Sequence, residues 1–416
     1  MNLDLSKIKK IFFIGIGGIG ISALAKFALA KGMEVSGIND EDTPDTIRPL
    51  QAHGVYVIFQ KDVKGVFEVP EADLYVYSDA WLYRGPEIIE SARKTGKPTL
   101  SYFEALGIFA KDYKVIAVAG THGKTTTTAM IADMLIEMGM DPTVVVGSFM
   151  NKSLSNFRKG KSEYFIVEAD EYNRHFLNFF PFVGLVTNVE ADHLDCYKDL
   201  ADIQKAFDKF LSQCEHTITE YSQYISKVPE LAVPGEHNRM NAAATLAVAD
   251  MLNIPQEVAQ KSLSQFSGTA RRLEKKGKTP EGAVIYDDYA HHPTEIRASL
   301  QALRELYPTQ KITVLFQPHL YSRTKALFAD FAKSFKDADR VLLLPIYFAR
   351  ENKDESVSSE KLVEAICLAG NDAKAMSDFE TAEIYVKSLN LDAKDVFVTM
   401  GAGEAYKVAD NVFKVS

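Results

Sequence analysis

Short apolar, β-branched runs alternate along the chain with longer stretches of helical period, which is the pattern of α/β architecture. In the first third, residues 10–14, 34–38, 55–59 and 74–77 read as strands, with a helix over 19–31. The pattern restarts near residues 107–114, where 115–119 is a new strand, and a domain boundary is expected there. Strands over 143–146, 165–168 and 185–188 follow, then helices over 200–212, 237–252 and 255–266. Residues 267–272 read as a linker. Beyond it, 284–287, 312–316, 341–344 and 396–399 are strands, and helices start at Pro293, Ser322 and Ala402. Three α/β domains are expected, spanning 1–110, 111–268 and 269–416.

Composition narrows the class. The chain has 416 residues, 46% hydrophobic and 25% charged, which excludes a disordered chain. Its formal net charge of −9 argues against a broad nucleic-acid surface. The three cysteines, Cys196, Cys214 and Cys367, contain no C-x-x-C pair, which excludes a disulfide framework and the usual zinc spacings and fits a reducing, cytoplasmic setting. Residues 11–25 are uncharged and follow Lys9 and Lys10, as in a signal peptide, but the run is too short to span a membrane and its four glycines serve another purpose.

Those glycines form Gly15-Ile16-Gly17-Gly18-Ile19-Gly20 between a strand and a helix. In such a loop Gly15 permits the tight turn, Gly17 lets backbone approach a pyrophosphate, and Gly20 allows close helix–strand packing. Residues Asn39, Asp40 and Glu41 occupy the place where a dinucleotide site wants a ribose-binding acid, so a nucleotide diphosphate is indicated more firmly than NAD. A second loop, Gly120-Thr121-His122-Gly123-Lys124-Thr125-Thr126, follows strand 115–119 and opens a helix. It ends as a P-loop does, although Val118 stands where the strict pattern has glycine. Loop amides would cradle phosphates, Lys124 would reach the β/γ oxygens, and the Thr125 hydroxyl suits Mg²⁺. Two separate phosphate loops make a simple dehydrogenase a poor reading.

Two acidic clusters end strands of the middle third: Glu168-Ala169-Asp170-Glu171 and Glu190-Ala191-Asp192-His193-Leu194-Asp195. Open α/β sheets bind ligands at such strand ends, and carboxylates beside a triphosphate are plausible Mg²⁺ partners. In the last third, Asp287-Asp288-Tyr289-Ala290-His291-His292-Pro293 and Gln317-Pro318-His319 with Arg323 concentrate polar groups at two further strand ends. The histidine pair could also be a helix cap.

These motifs, with His237, Asn238 and Asn241, Arg271-Arg272 and Met400-Gly401-Ala402-Gly403, resemble the Mur ligase family and occur in family order over nearly the whole chain. The resemblance implies a Rossmann-like N-terminal domain for a UDP-sugar, a central P-loop ATPase-type domain with a parallel sheet, and a Rossmann-like C-terminal domain. It is strongest to the branch that joins UDP-N-acetylmuramate to L-alanine through an acyl phosphate, using ATP and Mg²⁺ in peptidoglycan precursor synthesis. It implies small-molecule substrates, no nucleic acid or membrane partner, and a monomer or weak homodimer. By resemblance, Gly15, Gly17, Gly18, Ile19, Gly20, Asn39 and Ser78 face the UDP-sugar. Gly120, Thr121, His122, Gly123, Lys124, Thr125, Thr126, Asn238, Arg271 and Asp288 face ATP. Thr125, Glu168 and His193 hold metal, while Lys124, Glu168, His193, His291 and Arg323 serve the chemistry.

Three departures from the family pattern stand out. Only 21 residues separate Ser212 from Pro234, where members usually carry a longer stretch, so a peripheral subsheet is expected to be missing. Gly37-Ile38-Asn39 replaces the usual Gly-Ser-Asp. Leu320 stands where some members have a basic residue, leaving Arg323 to hold substrate carboxylate alone. Two other readings stay open: a ligase that joins a recycled tripeptide to the same sugar nucleotide, and, more remotely, a dinucleotide-dependent oxidoreductase.

Overall fold

The computed structural model describes residues 3–65, 67–150, 155–193, 196–348 and 351–413. Leu194 and Asp195 of the second acidic cluster lie outside the described residues. The first sheet is built from β1 (Lys10–Ile14), β2 (Glu34–Asn39), β3 (Tyr56–Phe59), β4 (Leu74–Tyr77) and β5 (Thr99–Ser101) in the order β3-β2-β1-β4-β5, all parallel. The chain moves outward from β1 to β3 and then crosses back to β4, so the switch point lies between the C-terminal ends of β1 and β4.

The second sheet comprises β6 (Lys114–Ala119), β7 (Thr143–Met150), β8 (Ser155–Arg158), β9 (Tyr164–Glu168), β10 (Val183–Val186) and β11 (His216–Ile218) in the order β11-β10-β6-β9-β7-β8. Only β8 runs antiparallel to its neighbour among the pairings described. β6 is central, and residues Val115 to Ala119 are buried, as expected of a strand covered on both faces. Between Ser212 and Pro234 the described chain contributes one short edge strand, β11, and a 3-10 turn, Ser222–Lys227.

The third sheet holds β12 (Glu274–Lys278), β13 (Val284–Asp288), β14 (Lys311–Phe316), β15 (Arg340–Leu343), β16 (Asp372–Ala375) and β17 (Asp395–Met400) in the order β12-β13-β17-β14-β15-β16, with β12 antiparallel. Its two faces are covered by separate apolar clusters, one around Ile296, Leu300, Phe316 and Phe335, the other around Leu315, Leu342, Phe397 and Val408.

Packing divides the chain into two compact units. The first takes Met1–Glu190, Leu200–Tyr221 and Ala244–Ser262, so it contains the first and second sheets; the second takes Ala191–Asp199, Ser222–Ala243 and Leu263–Ser416. Within the first unit, the helix Ile19–Ala30 packs on β7 and β8. Phe27 from that helix stacks with Phe165 and tilts against Phe157. Beside it, the fully buried Asn156 accepts from Lys26 Nζ at 2.8 Å and donates to Ile19 O at 2.5 Å and Ser22 Oγ at 3.0 Å. This satisfied polar cluster fixes the start of the helix against the second sheet.

Three local expectations need correction. The strand expected over 185–188 ends at Val186, because Thr187 and Asn188 turn their side chains to the loop carbonyl of His122. The last helix begins at Tyr406 rather than Ala402, since Gly401 is left-handed (φ 131°) and Glu404 N donates to Gln317 Oε1 at 2.7 Å. Gly20 packs not on a strand but on Tyr102, whose ring would lie 2.9 Å from a Cβ at that position. Among the described residues no helix is long and apolar enough to cross a membrane.

Candidate active site

The first glycine loop lies at the switch point of the first sheet. Gly15 is left-handed (φ 84°), and a Cβ there would come within 2.4 Å of Trp81 Nε1 and 3.2 Å of Ser78 Cβ. Gly17 is close-packed too: a Cβ would lie 2.3 Å from Thr43 Oγ1 and 2.5 Å from Asn39 Nδ2. Gly17 N donates to Asn39 Oδ1 at 3.0 Å, and Asn39 Nδ2 donates to Glu41 O at 2.7 Å. Asn39 is buried and braces the loop. Gly15 N and Ile16 N donate to Ile38 O, and Gly18 N to Gly15 O. The loop amides 15–18 are thus spent on the protein, and the first helical turn at Ile19 and Gly20 carries the helix-terminal N–H groups. Ser78 follows β4 and donates its N–H to Ile14 O at 3.0 Å, which places it next to Gly15.

The second loop joins β6 to the helix Lys124–Glu137. Gly120 (φ 130°) and Gly123 (φ 82°) both adopt backbone that favours glycine, and a Cβ on Gly120 would lie 2.0 Å from Thr187 Oγ1. Hydrogen bonds hold the loop: Thr121 N to Asn188 O at 3.0 Å, His122 N to Asn188 Oδ1 at 2.9 Å, and Glu190 N to Thr121 Oγ1 at 2.9 Å. His122 Nε2 lies 3.6 Å from Glu190 Oε2. Thr125 and Thr126 are buried in the first helical turn.

Parallel pairing of β6 with β9 brings Glu168 to this loop. Thr125 Oγ1 is 2.9 Å from Glu168 Oε1, and Gly147 N donates to Glu168 Oε2 at 2.9 Å. Lys124 Nζ reaches Gly120 O at 2.5 Å, Thr121 O at 3.1 Å and Glu171 Oε2 at 2.8 Å. Burial alone would lower the Lys124 pKa, but the Glu171, Asp170 and Glu168 carboxylates hold it above its ordinary value, so the ammonium stays charged. Tyr102 faces the same carboxylates; burial first, then Glu168 and Asp170, keep its phenol protonated. Neither Glu171's grip on Lys124 nor Tyr102 was singled out from sequence.

In the second unit, Arg323 and Asp192 form a buried pair: Arg323 Nη2 lies 3.0 Å and Nε 3.2 Å from Asp192 Oδ1. Arg323 Nη1 also donates to His319 Nδ1 at 3.4 Å. The guanidinium expected to hold substrate carboxylate by itself is therefore already matched to a protein carboxylate. Burial would raise the Asp192 pKa, but Arg323, His193 and His291 hold it well below the usual carboxylate range. His193 is left-handed (φ 54°) and half-buried, and its N–H donates to Asp192 Oδ1 at 2.7 Å. A cavity of about 180 Å³ lies here, lined by Ala191, Asp192, His193, Leu320, Arg323 and Leu327 among others.

The histidine pair divides its work. His292 caps the helix Pro293–Leu306, accepting from Thr294 N at 3.3 Å, with Glu295 completing the capping box. His291 does not cap. Its Nδ1 lies 2.9 Å from Tyr289 O, and burial, reinforced by Arg323, pushes its pKa down to about 4, so the ring is neutral near pH 7. Asp288 is buried against Ser299 Oγ, and burial raises its pKa to about 6. Asn238 Nδ2 donates to Pro234 O at 2.7 Å, and Asn241 Nδ2 to Asn238 Oδ1 at 3.3 Å.

Arg271, expected beside phosphate, is engaged internally. Its Nε donates to Asp287 Oδ2 at 2.9 Å and its Nη2 to Gly401 O at 2.8 Å, with the guanidinium between Tyr289 and Tyr406. The adjacent Arg272 lies over the Tyr289 ring, 5.0 Å from its centroid, and 3.9 Å from Glu295 Oε1.

Two glycine loops at strand ends of two α/β sheets, the second with a Lys-Thr-Glu cluster for a nucleotide triphosphate, define a nucleotide-dependent enzyme of the Mur type. Residues 10–114 match the Mur ligase family, catalytic domain; 118–227 the Mur ligase middle domain; and 271–403 the Mur ligase glutamate ligase domain. The chain belongs to the Mur ligase family. It is 37% identical, over 99% of its length and 98% of the relative's, to the UDP-N-acetylmuramate–L-alanine ligase of Caldanaerobacter subterraneus. It is 38% identical to that of Clostridium acetobutylicum, over 99% of both chains. Among solved structures it is similar to the UDP-N-acetylmuramate–alanine ligase of Thermotoga maritima, with TM-score 0.81 and 28% identity, covering 97% of this chain and 98% of that one.

Proposed function

We propose that the chain is an ATP-dependent ligase that joins the muramyl carboxylate of UDP-N-acetylmuramate to the amine of L-alanine, in peptidoglycan precursor synthesis. The observation that carries the reading is the Lys124–Thr125–Glu168 cluster at the second glycine loop, in one compact unit with the first. A free carboxylate is a poor acyl donor. Its oxygen attacks the γ-phosphorus, the bond to ADP breaks, and the mixed anhydride carries phosphate as leaving group. The alanine nitrogen then adds to the acyl carbon, phosphate departs, and the amine proton is lost to a base.

The transfer is strongly anionic, so positioning and charge neutralisation dominate its rate. The left-handed Gly120 and Gly123, the helix terminus at Thr125–Thr126 and the oxygen donors of Thr125 and Glu168 fit a triphosphate and a hard cation. Mg²⁺ held there by Thr125 and Glu168 would neutralise phosphate charge. Lys124 serves the β/γ-phosphates, with Thr121 and His122 shaping the loop. Asn238 and Asp288 serve the adenosine side. Arg271 serves phosphate from the turn that its bonds to Asp287 and Gly401 O maintain. Ile19, Gly20 and Ser78 bind the UDP-sugar on the loop that Gly15, Gly17, Gly18 and Asn39 hold in shape. His291, neutral near pH 7, is available as a proton acceptor, and Arg323 orients Asp192 and His193 beside the cavity.

The test is an acceptor screen with purified protein, ATP, Mg²⁺ and UDP-N-acetylmuramate. Phosphate release and amide product are expected with L-alanine and only weakly with the tripeptide. Product with the tripeptide alone would transfer the chain to the recycling reaction. No amide with either acceptor would reject the ligase reading.

A further inference from the structure

The segment that follows Glu171 contains a histidine that none of the proposed steps uses. Tyr172–Asn178 leaves the acidic cluster and returns to it, with Phe176 N donating to Asp170 O at 2.8 Å. Two consecutive non-glycine residues, Asn173 (φ 49°) and Arg174 (φ 59°), take left-handed backbone to make this turn. Such conformations persist where the surroundings over-determine them. Arg174 Nη2 lies 2.9 Å from both carboxylate oxygens of Asp202, which anchors the turn from outside.

The result is a fixed place for His175. Its ring stacks on Phe103, with centroids 4.0 Å apart and planes at 15°. Its Nε2 lies 2.7 Å from Asp79 Oδ2, and its Nδ1 3.6 Å from Asp170 Oδ2; its side chain is 8% exposed. Asp79 follows Ser78 at the end of β4, beside the first glycine loop. Asp170 precedes Glu171, which holds Lys124. The imidazole therefore spans the end of the first sheet and the carboxylates of the phosphate loop.

We infer that His175 is a positioning residue that sets the distance between the sugar-nucleotide loop and the phosphate loop through its paired contacts to Asp79 and Asp170. Resting on the ligase reading, the inference supplies what that chemistry demands, namely that a carboxylate carried by one nucleotide meet the terminal phosphate of another. An error of about 1 Å in that register can cost on the order of 10²-fold in rate. Burial would lower the His175 pKa, but Asp170 and Asp79 raise it to about 9, so at neutral pH the 2.7 Å bond to Asp79 is charge-assisted and the 3.6 Å contact to Asp170 is an ion pair.

The experiment uses the full chain with His175→Phe, which keeps the ring stack and removes both polar contacts, and Asp79→Asn, which weakens only the contact to the first sheet. Fold is checked by circular dichroism and thermal melting. The KM for UDP-N-acetylmuramate is expected to rise and kcat to fall, each on the order of tenfold. The Kd for MgATP, measured by titration calorimetry without the sugar nucleotide, is expected to stay within about twofold, since the phosphate loop keeps its own bonds. The double variant should lose less than the product of the singles, because both act on one contact. Unchanged kinetics in a folded Asp79→Asn protein, or MgATP affinity falling in step with kcat, would overturn the inference. Wild type that forms no amide would instead count against the ligase reading, and sugar-nucleotide binding by calorimetry then still tests His175.

Discussion

Lys124 Nζ lies 2.8 Å from Glu171 Oε2, with 13% and 3% of the two side chains exposed. The cation proposed to serve phosphate is therefore already matched by a carboxylate, and the pair has structural as well as chemical consequences. Lys124→Ala is expected to cost turnover on the order of 10²-fold or more, by loss of a preorganised charge. It should also cost about 3–5 kcal/mol of stability, because Glu171 is left as an uncompensated buried charge. Lys124→Met combined with Glu171→Gln should recover most of the stability and none of the turnover. Urea denaturation read beside phosphate release separates the two effects, and equal recovery of both would reject the assigned role of Lys124.

The glycines of the two loops should not respond alike to alanine. At Gly120 the left-handed backbone and the contacts at 2.0 Å to Thr187 Oγ1 and 2.9 Å to Thr187 N leave no room for a methyl group. At Gly17 the new Cβ would displace Asn39 and Thr43, which brace the loop. At Gly18 the backbone is ordinary and the nearest atom is Ile21 Cγ2 at 3.2 Å, a methyl able to give slightly. Calorimetry should find MgATP binding lost in Gly120→Ala, UDP-sugar binding lost in Gly17→Ala, and UDP-sugar binding within several-fold of wild type in Gly18→Ala.

What could be read from the sequence follows how local the signal is. The strand–glycine loop–helix units at Gly15 and Gly120 are contiguous, and their chemistry is written in neighbouring residues. β12, with the sequence Glu-Lys-Lys-Gly-Lys, and β16, Asp-Ala-Lys-Ala, carry no apolar alternation, and only pairing with β13 and β15 makes them strands. The Arg323–Asp192 pair joins positions 131 residues apart, beyond the reach of any spacing rule. Asn39 shows the other limit. Its position suggested ribose or uridine contacts, but whether its amide faces outward or back to Gly17 N is decided by packing. Arg271 and Arg272 are adjacent and chemically alike; the left-handed backbone at Arg271 (φ 57°) turns its guanidinium to Asp287.

Arg323→Lys should not preserve the second unit's polar cluster, because an ammonium cannot reproduce the fork that meets Asp192 with Nε and Nη2. Arg323→Ala is expected to lower stability by about 3–5 kcal/mol, the usual cost of breaking a buried pair from one side. The folded-state pKa of Asp192 is depressed below its unfolded value of 3.8. Its contribution is thus present above pH 4 and lost as pH falls further. Denaturant titrations should show wild type losing part of its advantage over Arg323→Ala as pH drops from about 5 to 3. A gap independent of pH over that range would mean that the pair contributes packing alone.

His175 predicts a pH effect of opposite sign. Its folded pKa, raised by Asp170 and Asp79 against burial to about 9, lies above the unfolded value of 6.5. Stability linked to this proton is fully present below pH 6.5 and is lost as pH rises through 9. By linkage the difference amounts to roughly 3 kcal/mol. Phenylalanine cannot titrate, so His175→Phe removes this dependence and keeps the stack on Phe103. The stability gap between wild type and His175→Phe, from urea midpoints, should therefore be largest at and below about pH 6 and shrink by most of that amount near pH 9.5. A gap of constant size from pH 6 to 9.5 would show that folding leaves the imidazole pKa where it stands in the unfolded chain. Only the 2.7 Å contact to Asp79 would then remain as a hydrogen bond, since a neutral imidazole carries one N–H.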